Sequence, residues 1–224
     1  VSWTEYVDGY CERVAPGFWG EPLNAVSNLA FLVATVAIWR LGRNSPGPVR
    51  ALGPLVGLVF AASTAFHTFA TRWGAAADTG FILVFVLYYA VCFTRVFLGV
   101  RWRFAWLAAP LFTAFAVPVA YAGGGYLPAL LGLFGLAAIL AARRDPDWSR
   151  FAVVGGIFAV SLSLRTADHA VCGHLPIGTH FLWHLLNGCV LYLVSRAAIL
   201  RAGSAESPRP PAFPRPSAPG SPPA

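Results

Sequence analysis

Five side chains stand out for the chemistry they could do together: Ser63, His67, Asp78, His180 and His184. Ser63 and His67 are four residues apart, about one helical turn, so on a helix they share a face, and His180 and His184 repeat that spacing. Three imidazoles with one carboxylate are a ligand set suited to zinc, which takes imidazole nitrogens in tetrahedral geometry. A His-x-x-x-His pair by itself reads equally as two interfacial or cavity-lining histidines. The zinc-protease pattern His-Glu-x-x-His is absent, because residues 181–183 are Phe, Leu and Trp, so a general base must come from elsewhere. Asp78 is the available carboxylate. A catalytic zinc with three protein ligands leaves its fourth position to a water whose pKa falls to about 7. Asp78 could orient that water, accept its proton and hand it to a leaving group. Ser63 could donate to a developing oxyanion, or it could bond back to its own helix.

A second group is acidic. Asp8, Glu12 and Glu21, with Glu5 and Asn24 nearby, suit a hard cation such as calcium held with backbone carbonyls; the alternative is a solvated acidic loop. Asp168, His169 and His174 are candidates to brace the ligands or line a rim. Of four cysteines, Cys92 and Cys189 fall inside apolar stretches, whereas Cys11 and Cys172 fall at outer ends, where they can pair in an oxidising compartment or stand as two free thiols.

The elements that must position these residues are membrane helices. The chain is 57% hydrophobic and 11% charged, where an ordinary soluble domain is about 25% charged. Its mean hydropathy is +0.63. Apolar stretches long enough for a bilayer core, about 20 residues, recur near 22–39, 51–70, 79–98, 104–122, 126–142, 151–170 and 179–199. This predicts an all-α membrane protein, a bundle of seven transmembrane helices. The net charge of +7 comes entirely from arginines that form no continuous stripe, which argues against nucleic acid. Thirteen of the 16 fall in alternate loops and the C-terminal segment, while Arg13, Arg72 and Arg165 fall towards the other side. The positive-inside rule then places the N-terminus outside and the C-terminus in the cytoplasm. In that topology Ser63, His67, Asp78, His180 and His184 share one depth near the outer face.

Residues 1–21 form an outer acidic segment without a cleavable signal pattern, so the first span is expected to act as its own insertion signal. Residues 22–203 form the transmembrane domain. Residues 204–224 are rich in Pro, Ser, Ala and Arg and are expected to be a disordered cytoplasmic tail.

The order of these motifs resembles the alkaline ceramidase family, seven-helix intramembrane zinc hydrolases in a superfamily shared with the adiponectin receptors. The resemblance is carried by Asp8-Gly-Tyr-Cys-Glu12, by Glu21-Pro-Leu-Asn-Ala-Val-Ser-Asn28, and by Ser63-x-x-x-His67, Asp78 and His180-x-x-x-His184 in that order, with Asp168 and Cys172 similar to the sixth-helix element. One residue more separates Asp8 from Cys11 than in the family's Asp-Trp-Cys-Glu segment. The resemblance implies zinc on His67, His180 and His184, with Ser63 and Asp78 around the reactive water. It also implies calcium near Asp8, Glu12 and Glu21, and a Cys11–Cys172 disulfide. Absence of Lys, an Arg-Ala-Gly-rich composition and short loops point to a bacterial inner-membrane protein whose site faces outwards. The function expected is hydrolysis of the N-acyl bond of ceramide or a similar membrane lipid amide, with no protein partner. The alternatives are a zinc-containing lipid receptor without turnover, and a transporter using Asp78, Asp168 and the histidines as a relay.

Overall fold

The structure is a computed structural model that describes residues 2–206. It is all-helical apart from one isolated bridge between Tyr6 and Thr71. Six helices are long and apolar enough to cross a membrane: α1 (Pro22–Gly42), α2 (Gly47–Phe69), α3 (Arg72–Val96), α4 (Trp102–Gly123), α6 (Trp148–Val171) and α7 (His180–Glu206). The stretch expected to be the fifth span is α5 (Leu127–Ala142), apolar but only 16 residues long. α7 continues past the expected boundary at residue 203 to Glu206, and the rest of the Pro-rich tail lies outside the described residues.

Each helix packs against its neighbours in sequence, and α7 closes the ring on α1 while also reaching α3. α7 is therefore the best-buried helix, whereas α4 contributes no buried residue from its long segment and turns Leu111, Phe115 and Tyr121 outwards. A core of Phe31, Val56, Phe85, Phe93, Phe151, Phe158 and Trp183 fills the ring. Gly188 lets α7 approach α1 closely, since a Cβ there would meet the Ala30 backbone at 3.1 Å; small residues serve this purpose where helices cannot rely on water to drive them together. At the opposite end of the bundle from the histidines, Arg201 of α7 pairs with Asp145 and Asp147 before and at the start of α6.

α3 departs from the expected boundaries. It begins at Arg72, not near residue 79, because Thr71 is an extended N-cap whose side chain accepts from the Gly74 amide. Asp78 thus does not open the helix. It lies in the second turn, one more turn inside the bundle than the sequence suggested.

The N-terminal segment crosses the ends of the helices on the side of the histidines. Val7 donates to the Ala70 carbonyl, Arg72 to Glu5 and Trp73 to Trp3, so residues 3–7 lie along the turn between α2 and α3. Cys11 and Cys172 are joined by a disulfide with Cα atoms 5.3 Å apart, which ties the same segment to the end of α6.

Candidate metal centre and its pocket

His67 on α2 and His180 and His184 on α7 are buried together, and one ligand atom from each lies within 4.8 Å of the others. Hydrogen bonding settles which nitrogens are free. His67 Nδ1 is 2.9 Å from Glu21 Oε2. With Glu21 ionised against the Arg13 guanidinium its carboxylate can only accept, which puts the ring proton on Nδ1 and the lone pair on Nε2, itself buried without a partner. His184 Nδ1 is 2.7 Å from Ser27 Oγ. Ser27 spends its single proton on the Asn24 carbonyl at 3.0 Å, so it must accept from His184 Nδ1–H, which leaves the lone pair on Nε2. His180 keeps a buried Nδ1 without a partner and stacks on the Tyr10 ring at 3.7 Å between centroids. Buried polar atoms without partners cost about 1–3 kcal/mol each; two of the three converging imidazoles carry one and the third turns a lone pair inwards, which fits a metal ion that would satisfy them. Ligating histidines commonly donate their second nitrogen to a carboxylate or other acceptor, as His67 and His184 do here.

Asp78 is buried on α3 with one carboxyl oxygen lacking any hydrogen-bond partner. Ser63, buried one turn before His67, faces it. Asp78, Tyr10, Phe66, Tyr126, Arg165 and His169 line a pocket of about 310 Å³ at the end of the bundle that carries the histidines. Beneath it a cavity of about 120 Å³ runs between the helices, walled by Phe85, Tyr89, Leu136, Phe158 and Val190. Tyr126 lines both.

The acidic residues are arranged otherwise than expected. Among the described residues, the three histidines are the one group of three or more His, Cys, Asp and Glu side chains whose ligand atoms lie within 4.8 Å of one another, and Asp8, Glu12 and Glu21 form no such group. Glu12 accepts from the Leu23 and Asn24 amides at 2.7 and 2.8 Å and caps the start of α1. Glu21 turns inwards to His67, Asn24 and Arg13. The charge beside it is the Arg13 guanidinium, which also donates to the carbonyls of Val7 at 2.7 Å and Phe66 at 3.4 Å. Burial pushes the Glu21 carboxyl up to about 7, against the opposing pull of Arg13. Asp8 is exposed.

Asp168 is a strut. Its carboxylate accepts from the amides of Cys11 at 3.0 Å, Thr179 at 2.7 Å and His180 at 2.9 Å, joining the N-terminal segment, α6 and the first turn of α7. Gly178 makes this possible, with φ of +62° and no room for a Cβ, which would lie 2.1 Å from Asp168 Oδ1. His169 reaches the pocket rim, whereas His174 is exposed in the following turn. Tyr10, Arg13, Ser27 and Arg165 were not expected at the site. Ser27 had a signal, since Glu21, Asn24 and Ser27 recur every three residues as a polar stripe leading into an apolar helix.

No protein-family model matches the chain, and no curated protein is similar to it.

Proposed function

We propose that the protein is an intramembrane zinc-dependent amidase that hydrolyses the N-acyl bond of ceramide or a similar lipid amide, releasing a long-chain amine and a fatty acid. The observation that carries this reading is the convergence of three imidazoles with free nitrogens beside a buried, unpartnered Asp78 oxygen, above an apolar cavity between helices. His67, His180 and His184 would hold the ion. Bound there, zinc would supply Lewis acidity, polarising the scissile carbonyl and acidifying the attacking water. Asp78 accepts the proton of that water and returns it to the leaving amine. Ser63 donates a hydrogen bond to the oxyanion as it develops. The apolar cavity takes the acyl chain and keeps it from water.

The alternative, a lipid receptor with structural zinc, gives Asp78 no task, and a carboxylate with one oxygen left without a hydrogen-bond partner at membrane depth is expensive. A relay through Asp168 has no support, since both its oxygens already accept backbone amides. The proposed setting is seven spans in a bacterial inner membrane, N-terminus outside, with α5 as the fifth crossing and the histidines towards the outer face. The test is product analysis on purified protein given ceramide, with and without a chelator. Fatty acid and long-chain amine should appear in equal amounts, stop with chelation and return with zinc. Failure to release them, with zinc restored, from ceramide and from every other N-acyl lipid amide supplied would overturn the reading.

A further inference from the structure

Arg165 lies on α6 one turn before Asp168, half-buried, with its guanidinium 4.6 Å from the Tyr126 ring centroid and 5.6 Å from that of Trp183. Its Nε is buried without a hydrogen-bond partner. Arg13, Arg72, Arg150 and Arg201 each hold a carboxylate, but among the described residues Arg165 forms no ion pair. A cation at that depth is costly and asks for a partner or a task. The two aromatic faces stabilise the guanidinium and hold its planar fork in one orientation. It opens on the pocket that Asp78 and Tyr10 also line.

We propose that Arg165 makes this pocket selective for lipid amides whose amine portion carries an acidic group, a carboxylate or phosphate close to the amide nitrogen. The inference rests on the amidase reading above. The acyl chain has its place in the apolar cavity on the inner side of Tyr126, so the amine portion is the part that projects into this pocket, past Arg165 and His169. A guanidinium meets a carboxylate or phosphate with two parallel N–H···O bonds, a geometry no neutral hydroxyl can match. The competing account gives Arg165 a simpler job, offsetting the charge of Asp78, which faces the same space.

These accounts separate on purified full-length protein with N-palmitoylglycine, N-palmitoylethanolamine and N-palmitoylphosphoethanolamine, which share one acyl chain and differ in the group beyond the nitrogen. The readouts are kcat/KM with zinc, and binding to zinc-free protein followed by quenching of tryptophan fluorescence. The native protein should favour an acidic amide over the ethanolamide by about tenfold or more, and whichever acid is preferred identifies the group recognised. Arg165→Gln should lower the acidic-to-neutral ratio at least about tenfold in both readouts, and Arg165→Lys should keep part of it. Should Arg165→Gln fail to fold, the native comparison and Arg165→Lys still decide. Equal handling of all three amides by the native protein, or an equal loss on all three in Arg165→Gln, would overturn the inference while leaving the amidase intact. Preferential binding of an acidic amide without any cleavage would sink the amidase and leave Arg165's role standing.

Discussion

Asp78 carries the sharpest consequence at the scale of single residues. If it were a helix cap, Asn would serve as well, but Thr71 holds that place and Asp78 lies in the second turn of α3. Asp78→Asn keeps the shape while removing the basic carboxylate, so zinc content should stay near the native level while amide hydrolysis falls about 10²- to 10⁴-fold. Activity within about threefold of native, at matched zinc, would refute its role as general base. Ser27 tests the other side of the site. It fixes the His184 tautomer by accepting from Nδ1–H, so Ser27→Ala should weaken zinc binding by about 10- to 100-fold in a chelator competition, with the protein still folded. Affinity unchanged by that substitution would mean the hydrogen bond does nothing for the metal. The grouping of the three histidines was legible because polar groups at helical spacing stand out against apolar sequence, whereas Asp78 was expected to open its helix and lies in the second turn. Glu21 stood out as one acid of a cluster but not as a partner of His67, because the two lie 46 residues apart and nothing local records that they meet.

At the scale of elements, the N-terminal segment is the part whose behaviour is most open to measurement. It makes no long helix and owes its place to tertiary bonds: backbone pairing with the α2–α3 turn, the buried Arg13–Glu21 pair and the disulfide to Cys172. A link spanning 161 residues in sequence removes much freedom from the unfolded chain, an effect of about 4 kcal/mol or more for loops near 100 residues in the chain-entropy account. The double substitution Cys11→Ser, Cys172→Ser should therefore make residues 2–20 cleave faster under limited proteolysis and lower Tm by roughly 5 °C or more. Equal cleavage rates, or peptide mapping of the native protein that finds both thiols free, would remove the disulfide from the account. Six of the seven expected stretches are long helices here because sustained apolar runs can do little else in this composition. The start of α3 was missed because Arg72 and Gly74 interrupt the apolar run, although Thr71-x-x-Gly is a workable cap.

The direction proposed for the whole bundle rests on charge, and the proposed crossing most open to test is α5. Sixteen residues at about 1.5 Å each span about 24 Å, short of a hydrocarbon core of about 30 Å. Arg143 and Arg144 immediately after it can extend their charged ends towards headgroups while their stems stay in the apolar layer, and a bilayer can thin locally around a short helix. If α5 crosses, the turn before it and the start of α6 lie on opposite sides; if it does not, they share one side and the number of crossings becomes even. Three exposed sites report on this: Ser2 in the N-terminal segment, Gly125 in the turn after α4, where a Cβ meets open space, and Ser149 in the first turn of α6. In a Cys189→Ala background, Ser2→Cys and Gly125→Cys should react with a charged, membrane-impermeant maleimide on intact cells. Ser149→Cys should react only once the membrane is permeabilised. Labelling of Gly125→Cys and Ser149→Cys from the same side would show that α5 does not cross. Labelling of Ser149→Cys but not Ser2→Cys on intact cells would invert the molecule and place the histidines towards the cytoplasm.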